Sequence, residues 1–343
     1  MIRGMVLCAG LGTRLRPLTN RWPKPAMPLL AGPLFRYSLA TLRRAGITEV
    51  GINTHHLPEV MEATARAEVA GPLEVSHETG EIQGTGGGIR GLKKFLSGDD
   101  FVVLNGDVLF ALDLRPVLEA HRASGAAATM VLLPMPEGEK YNPVELDADG
   151  SVRRIAGKGP GGPKLSGWHF TGVHVMTPKV FDFMAPAGPE DINRDVYVKM
   201  IEHGLTVRGH VLDENPYWSD LGTPQRYLTT HEHLLFGQVP QASFGERGPF
   251  SGHPRLAAPL NGWQHPTARV HDDVKFAGPA FFGAGCVVEQ GVRLGAAVSI
   301  GAGATVGQGA RLNRVAVLDG ARVPSGAQVS DAIIGADSIV PAG

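Results

Sequence analysis

The chain has 343 residues, a formal net charge of −1 and charged side chains at 19% of its positions. This near-neutral charge excludes a general attraction to nucleic acid or to anionic lipid. The hydrophobic content of 43% is enough to build a core and excludes a disordered polyelectrolyte. Glycine is the unusual component, with 46 residues, or roughly twice its usual share. It follows no strict triplet period, which excludes collagen, and the chain length predicts about two domains.

Cysteine usage indicates a reducing compartment, and hydropathy gives no sign of a membrane span. Cys8 and Cys286 lie far apart in the sequence and offer neither a disulfide framework nor a zinc pattern. No segment approaches the ~20 apolar residues of a membrane span. We therefore expect a cytoplasmic protein with no nucleic-acid partner and no membrane partner.

Residues 1–238 alternate between strand and helix patterns. The first apolar run, residues 2–8, predicts a buried strand, and a proline in the first turn begins the helix predicted at 58–69. Continuous apolar strands between helices are typical of a mostly parallel sheet that is covered on both faces. We therefore predict a Rossmann-like α/β domain over residues 1–238. Strands are predicted at 2–8, 49–53, 73–77, 101–104 and 129–134, and helices at 34–45, 58–69, 88–96, 114–124 and 224–236.

The sequence changes character after residue 238. Residues 239–268 are rich in proline, glycine and serine and predict a linker with some ordered turns. From Val270 an apolar residue recurs every six positions, and the spacing drops to five after Leu312 and again after Val329. A period of six fits a coil whose turns have three flat sides of about six residues each. We predict a parallel β-helix over 269–343, whose flat apolar sides and open ends favour a homo-oligomer. The first recurring positions are Val270, Phe276, Phe282, Val288, Leu294, Ile300, Val306 and Leu312.

The strongest functional motif follows the first predicted strand. It is Leu7-Cys8-Ala9-Gly10-Leu11-Gly12-Thr13-Arg14, and Pro23-Lys24-Pro25 comes shortly after it. Glycines in such a turn let backbone N–H groups approach a phosphate closely. An arginine adds a rigid fork of donors for phosphate oxygens, and a lysine adds a compact positive charge. A dinucleotide-binding fingerprint is the alternative, but its third glycine would fall on Leu15.

Three further motifs follow in order. They are Gly84-Thr85-Gly86-Gly87, Asn105-Gly106-Asp107 at the end of an apolar strand, and Trp218-Ser219-Asp220-Leu221-Gly222-Thr223-Pro224. With the first motif and the repeat tail, this series resembles the sugar-nucleotide pyrophosphorylases, which are sugar-1-phosphate nucleotidylyltransferases. Within that family it resembles mannose-1-phosphate guanylyltransferases and N-acetylmuramate-1-phosphate uridylyltransferases. The resemblance implies a Rossmann-like nucleotidyltransferase domain followed by a left-handed parallel β-helix.

The resemblance also implies a reaction in which an NTP and a sugar 1-phosphate give an NDP-sugar and pyrophosphate. Arg14 would contact the β- and γ-phosphates, and Lys24 would stabilise the transition state beside the α-phosphate. Asp107 and Asp220 would hold Mg²⁺, a hard ion that prefers carboxylates. Nucleotide contacts are implied for Leu7, Ala9, Gly10, Gly12, Thr13, Gly84, Thr85, Gly86, Asn105 and Gly106, and sugar-phosphate contacts for Lys158, Thr171 and Gly172.

Two departures from the family pattern leave the sugar and the nucleotide open. Gly157-Lys158-Gly159 stands where most relatives carry Glu-Lys-Pro, and Tyr141-Asn142-Pro143 replaces a Tyr-Gly pair. The β-helix favours GTP and mannose 1-phosphate, whereas the second glycine run and the missing glutamate favour uridylyl transfer. Two of the assigned residues also have alternative roles. Asp220 could cap a helix, and Lys158 could be a solvated loop residue.

Two functions of other classes are alternatives. A hexapeptide-repeat acyltransferase would need a histidine that projects from a coil, and the last histidine, His271, lies at the start of the repeat. A catalytically inactive subunit that only binds a nucleotide sugar would not need the four charged residues assigned above to the phosphates and the metal. We therefore expect an active transferase.

Overall fold

The computed structural model describes residues 1–214, 216–257, 261–338 and 340. They form two compact units that do not follow chain order, so part of the amino-terminal region belongs with the carboxyl-terminal unit. The first unit comprises Met1–Leu11, Trp22–Pro25 and Thr41–Trp218, and the second comprises Gly12–Arg21, Ala26–Ala40 and the chain from Ser219 onward.

The helices of the described residues are short, and none of them is long and apolar enough to cross a membrane. The α-helices are α1 (Phe35–Arg44), α2 (Pro58–Glu68), α3 (Gly84–Gly91), α4 (Lys93–Leu96), α5 (Leu114–Ser124), α6 (Val198–Glu202) and α7 (Pro224–Leu235). Short 3-10 turns occur at Thr13–Leu15, Leu18–Asn20, Lys24–Ala26, Pro178–Asp182 and Gln241–Arg247, and a π-helical turn at Ile192–Tyr197.

The strands fall into a set before residue 221 and a set after residue 261. The first set is β1 (Arg3–Leu7), β2 (Pro28–Leu29), β3 (Gly32–Pro33), β4 (Val50–Thr54), β5 (Leu73–His77), β6 (Phe101–Asn105), β7 (Val108–Phe110), β8 (Ala128–Leu133), β9 (Val144–Leu146), β10 (Val152–Ile155), β11 (Ser166–Met176), β12 (Val207–Val211) and β13 (Trp218–Asp220). The second set is β14 (Gly262–Gln264), β15 (Arg269–Val270), β16 (Lys275–Phe276), β17 (Ala280–Phe282), β18 (Val287–Val288), β19 (Arg293–Leu294), β20 (Val298–Ile300), β21 (Thr305–Val306), β22 (Arg311–Val317), β23 (Arg322–Val323) and β24 (Gln328–Ile334).

A mixed sheet forms the centre of the first unit, in the order β10-β9-β11-β6-β1-β4-β5, with β8 paired to β11 and β12 paired to β8. The strands β4, β1 and β6 are parallel neighbours, and β11 runs antiparallel to β6. The strands β4 and β6 are buried along almost their whole length, as expected for parallel strands covered on both faces. The predicted fold class is confirmed. The antiparallel strands β9 and β10 were not predicted, because they are short and mix buried with partly buried positions. Strand β11 was not predicted either, although residues 171–176 at its end are continuously buried.

The helix predicted at 88–96 is wrong in its start and its continuity. The segment forms α3 and α4, which are separated at Leu92 (φ −105°, ψ 14°). The four glycines between 84 and 88 have low helix propensity, so the sequence predicted a later start. The first turn is instead held from outside, since Gly86 N–H donates to the carbonyl oxygen of Glu190 at 2.8 Å.

The second unit is built on a stack of parallel strands, and the predicted β-helix is confirmed. On one side Val288 pairs in register with Val306, which pairs with Val323, and these three side chains are buried. The two five-residue steps fall where Arg314 (φ 54°) and Asp331 (φ 51°) adopt left-handed conformations within β22 and β24. The same conformation occurs at Ala297 (φ 49°), which precedes Val298, the register partner of Val315. A left-handed residue therefore marks this corner in a six-residue step as well as in the two shortened ones.

The stack begins before the segment that was predicted as its start. Residues 239–268, expected as a linker, contain the 3-10 turn Gln241–Arg247 and strand β14, which pairs in parallel with β17. A three-residue strand among prolines and glycines carries too little periodicity to be distinguished from a linker by sequence.

Helix α7 packs against the β-helix through a buried polar contact. His231 Nδ1 and Ser299 Oγ are 3.0 Å apart, and both residues are buried. Burial lowers the pKa of His231 to about 3, so the ring is neutral at pH 7. A neutral ring shares this hydrogen bond without the cost of a buried charge.

Arg314 adds a charged contact between α7 and the β-helix. Its Nε donates to Glu232 at 2.7 Å and its Nη1 donates to Asp331, one coil further on, at 2.8 Å. Because the Arg314 side chain is only 18% exposed, Arg314→Met should lower the free energy of unfolding by about 2 kcal/mol. Denaturant titration would measure this, with Arg322→Met as control, since Arg322 is exposed and unpaired among the described residues. Equal effects of the two substitutions would contradict the prediction.

Candidate active site

The turn after β1 contains two glycines that are needed for different reasons. Gly12 has φ 60° and ψ 25°, and a Cβ atom there would lie 2.8 Å from Thr19 Cγ2. Thr19 Oγ1 also donates to the Gly12 carbonyl oxygen at 2.9 Å. Gly10 is exposed, and its Cβ would meet no described atom within 4 Å. The fold therefore requires glycine at position 12, whereas glycine at position 10 leaves space for a ligand beside the backbone.

The other residues predicted around this turn differ in exposure. Leu7 ends β1, Ala9 is buried, and Thr13 is exposed at the start of a 3-10 turn. Thr13 thus offers its side chain to solvent, and Leu7 is partly buried. Any ligand contact from Ala9 would have to use its backbone.

A buried cation and a carboxylate meet where β1 and β6 end. Lys24 has an 8% exposed side chain, and its Nζ donates to Asp107 Oδ2 at 2.7 Å, where the carboxylate is 40% exposed. Just before Asp107, Gly106 N–H donates to the Leu7 carbonyl oxygen at the end of β1. Only glycine allows this close contact, because a Cβ at position 106 would lie 2.6 Å from that oxygen. Burial, and then the charge of Asp107, raises the pKa of Cys8 above its usual value. The structure thus brings together the turn after β1, the Pro23-Lys24-Pro25 segment and the Asn105-Gly106-Asp107 motif.

Arg14 lies beside the turn that begins α7. Its guanidinium is exposed, forms no ion pair with any described residue, and has Nη2 2.7 Å from the position of a Cβ on Gly222. Asp220 Oδ1 accepts from Gly222 N–H at 3.3 Å and from the Arg226 guanidinium. The cap of α7 is Thr223, whose Oγ1 accepts from Arg226 N–H. The alternative that Asp220 caps this helix is therefore wrong.

The second glycine-rich segment packs on the chain around residue 190. Gly84 has φ 70°, and a Cβ there would lie 2.6 Å from the Glu190 carbonyl oxygen, which also accepts from Gly86 N–H. Thr85 Oγ1 accepts from Ile192 N–H at 2.9 Å. Internal packing therefore accounts for the first glycine and for the hydroxyl, and the contact with a nucleobase stays a prediction.

Glu190 itself was not predicted. It is buried, and its carboxylate accepts from Lys199 Nζ at 3.0 Å and lies 3.6 Å from Arg90 Nη1. A single glutamate in a loop has no motif around it, so only the folded contacts reveal its role in holding the second glycine-rich segment.

The residues predicted to contact the sugar are in unequal positions. Thr171 is fully buried, and its Oγ1 donates to the Val131 carbonyl oxygen at 2.8 Å, while its own carbonyl accepts from Trp218 Nε1. Gly172 has φ 86°, and a Cβ there would lie 2.8 Å from Asn105 Nδ2. The Thr171 hydroxyl is thus used within the protein, and Gly172 lets the strand pass close to the end of β6.

Beyond these residues lies a cluster that sequence analysis missed. His169 lies 4.3 Å from Tyr141 and 4.4 Å from Trp218, measured between ring centroids. Lys158, which was predicted to contact the sugar phosphate, is not part of this cluster. Its side chain is 57% exposed and its Nζ lies 3.8 Å from Asp195. Trp218 stands in a predicted motif and Tyr141 in the segment noted as a departure from the family pattern, whereas no function was predicted for His169.

A magnesium site was also predicted. The described residues contain no group of three or more histidine, cysteine, aspartate or glutamate side chains that could hold a metal ion. Mg²⁺ needs no such cage, because it keeps several waters and takes substrate phosphate oxygens with one or two carboxylates. Asp107 fits this chemistry as a half-exposed carboxylate at a strand end. Asp107 and Asp220 belong to different units, so their joint use of one ion stays a prediction.

Comparison with known proteins agrees with these features. A family model described as Nucleotidyl transferase matches residues 3–236, and one described as GMPPB C-terminal domain matches residues 261–342. A UTP–glucose-1-phosphate uridylyltransferase of Synechocystis is 28% identical over 84% of this chain and 80% of its own length. A mannose-1-phosphate guanylyltransferase of Mycobacterium tuberculosis is 30% identical over 87% of this chain and 79% of its own length.

A solved structure supports the same fold. The crystal structure of HddC from Yersinia pseudotuberculosis complexed with GMP-PN aligns with a TM-score of 0.55 at 21% identity, over 67% of this chain and 98% of that chain. The chain belongs to the nucleotidyl transferase family, and it is a sugar-1-phosphate nucleotidylyltransferase.

Proposed function

We propose that the enzyme is a mannose-1-phosphate guanylyltransferase, which converts GTP and mannose 1-phosphate to GDP-mannose and pyrophosphate. The observation that carries this choice is the GMPPB-type domain over residues 261–342. The guanylyltransferase relative from Mycobacterium tuberculosis, which aligns across both parts of the chain, supports it.

The proposed mechanism depends on charge neutralisation and needs no general base. The attacking group is a phosphate oxygen that is already ionised, so the barrier comes from bringing two anions together. Arg14 is exposed without an ion pair in the described structure, which leaves its fork of donors available for the β- and γ-phosphates. Lys24, held at Asp107, would offset the charge that develops at the α-phosphate. Gly10 and Gly12 would let backbone N–H groups approach the nucleotide.

A divalent metal belongs to this proposal. Asp107 and Asp220 would supply carboxylate ligands to Mg²⁺, which neutralises phosphate charge when it is bound. Lys24 would then have a second task, because its contact with Asp107 fixes the orientation of that carboxylate.

The substrate test is a panel of GTP, UTP, dTTP, CTP and ATP, each with Mg²⁺ and several sugar 1-phosphates. GTP with mannose 1-phosphate should give the fastest pyrophosphate release, and GTP should give the largest rise in melting temperature, because binding stabilises the folded state. Faster release from UTP would replace the proposal with the uridylyltransferase alternative. Tight binding of a sugar nucleotide without any release would identify an inactive binding subunit.

The uridylyltransferase alternative has its own support. The relative from Synechocystis is named for transfer to glucose 1-phosphate and covers both parts of this chain. Transfer to N-acetylmuramate 1-phosphate, suggested by the second glycine run, is the other form of this alternative. The panel separates these acceptors directly.

We also propose a homo-oligomer formed through the β-helix, for which sedimentation gives the test.

One surface of the β-helix carries a ladder of like charges. Lys275, Arg293 and Arg311 are exposed, lie in register on three successive strands, and form no ion pair among the described residues. Like charges directly opposite each other destabilise a sheet.

Arg293→Glu should therefore raise the stability of the β-helix by about 0.5–1 kcal/mol, because the new carboxylate has a cation on each side. The gain should shrink at high salt, since exposed charges are screened. Arg269→Glu is the matched control, as Arg269 pairs in register with Val287. A gain of similar size in the control would contradict the ladder explanation, and thermal unfolding at two salt concentrations measures both variants.

A further inference from the structure

A chain of three hydrogen bonds joins the two glycine-rich segments through side chains that no motif contains. Cys8 N–H donates to Asn53 Oδ1 at 2.9 Å, and Asn53 Nδ2 donates to Glu78 Oε1 at 2.6 Å. Gln83 N–H then donates to Glu78 Oε2 at 2.8 Å. We call Asn53 and Glu78, with the backbone groups of Cys8 and Gln83, the relay.

The two ends of the relay stand next to the proposed nucleotide site. Cys8 directly follows β1 and is two residues before Gly10, and Gln83 directly precedes Gly84. The relay therefore connects the turn assigned to the phosphates with the segment assigned to the base. Two backbone groups at distant points of the chain, the N–H groups of Cys8 and Gln83, are thus held by two side chains.

The fold gives the relay little freedom. Asn53 is 2% exposed and lies on β4, which is the parallel neighbour of β1. A Cβ on Gly88 would lie 2.4 Å from Asn53 Nδ2 and 3.1 Å from Glu78 Oε1, so a residue larger than glycine would displace the relay. Glu78 is also tied to the same strand, since its N–H donates to the Thr54 carbonyl oxygen at 2.8 Å.

The donor and acceptor pattern explains why these two side-chain types occur here. The first position must accept from Cys8 N–H and donate to its neighbour, which an amide does and a carboxylate does not. The second position must accept two hydrogen bonds at separate oxygens, which a carboxylate does. If a carboxylate stood at position 53 and an amide at position 78, the hydrogen bond between these two side chains would run in the opposite direction. The bonds from Cys8 N–H and Gln83 N–H would both be kept.

We infer that Asn53 and Glu78 are positioning residues that align the two nucleotide-binding segments. The inference rests on the proposed function, which assigns those segments to the nucleotide. It predicts a specific effect on nucleotide binding, because neither side chain belongs to the residues assigned to the sugar phosphate.

The test uses Asn53→Asp, Glu78→Gln and the double variant. Asn53→Asp places two carboxylates against each other, and Glu78→Gln places two amide donors against each other. In the double variant Gln at 78 donates to Asp at 53, Cys8 N–H and Gln83 N–H keep their acceptors, and the net charge is unchanged. Each single variant should raise the nucleotide Kd and KM about tenfold, as expected when a buried polar group loses its partner. The double variant should return within about threefold of the unmodified enzyme.

Three measurements separate the outcomes: nucleotide Kd by calorimetry, KM for both substrates, and the melting temperature. The KM for the sugar phosphate should stay constant in every variant. Unchanged nucleotide Kd in the single variants, or additive damage in the double variant, would overturn the relay. Parallel increases in both KM values would show a merely structural role and would overturn it too.

Matched controls come from exposed positions. Glu119→Gln and Asn261→Asp make the same chemical changes at exposed side chains and should leave nucleotide Kd unchanged. If the unmodified enzyme releases no pyrophosphate from any substrate pair, the proposed function fails, and the calorimetric Kd still tests the relay.

Discussion

Lys24→Met is expected to lower kcat by about 10²- to 10³-fold, which is the usual loss when a group that stabilises transition-state charge is removed. The ammonium is almost fully buried and is held at Asp107, so its position is fixed before substrate arrives. A fixed charge requires little reorganisation during the reaction and acts strongly where water is excluded. Methionine is of similar length and keeps the packing while removing the charge.

The effect on stability should be small by comparison. The Asp107 carboxylate that loses its partner is 40% exposed, so water can solvate it and the cost should be under about 1 kcal/mol. Steady-state kinetics and thermal unfolding would be measured together. Lys94→Met serves as the control, because Lys94 is exposed on α4. A Lys24→Met enzyme that keeps kcat within threefold of the unmodified value would exclude the assigned role.

The elements that were predicted correctly are those that depend on local pattern. The continuous apolar run of β1 and the helices α2 and α5 are confirmed to within a residue or two. Motif spacing also predicted which polar residues follow strand ends, and Asp107 does meet Lys24 there. Local pattern sufficed in these cases because each signal lies within one element or one turn.

The unpredicted features depend on contacts between distant segments. Gly86 N–H donates to the carbonyl oxygen of Glu190, which is far away in the sequence. Gly86 stands in a predicted motif, but no local pattern marks Glu190 as its partner. Thr171 was predicted to contact the sugar, yet its hydroxyl bonds to a neighbouring strand. Sequence shows residue types at strand ends but not the direction in which each side chain points.

Gly222→Ala is expected to reduce kcat/KM by about 10- to 100-fold, through displacement of Arg14. The new Cβ would lie 2.7 Å from Arg14 Nη2, which is closer than real Cβ atoms approach other groups, and 3.1 Å from Arg14 Cζ, which is a tight contact. Arg14 is exposed, so its flexible end can move away, and the free energy of unfolding should change by less than about 1 kcal/mol. The guanidinium would then leave the place from which we propose that it donates to phosphate, and charge-assisted hydrogen bonds of this kind are worth about 1.5–3 kcal/mol.

A double-mutant cycle tests this mechanism more sharply than the single substitution. If Gly222→Ala acts by moving the guanidinium, it should have almost no further effect once Arg14→Ala has removed that group. Gly98→Ala is the matched control, since its Cβ would lie at an ordinary 3.7 Å from Arg3 Nη1, and its kcat/KM should stay at the unmodified value. Additive losses in the Arg14→Ala and Gly222→Ala double variant would mean that the glycine acts on something other than Arg14. A non-additive loss would instead show that Gly222 acts through Arg14, the arginine proposed to bind phosphate, although the two residues are far apart in sequence.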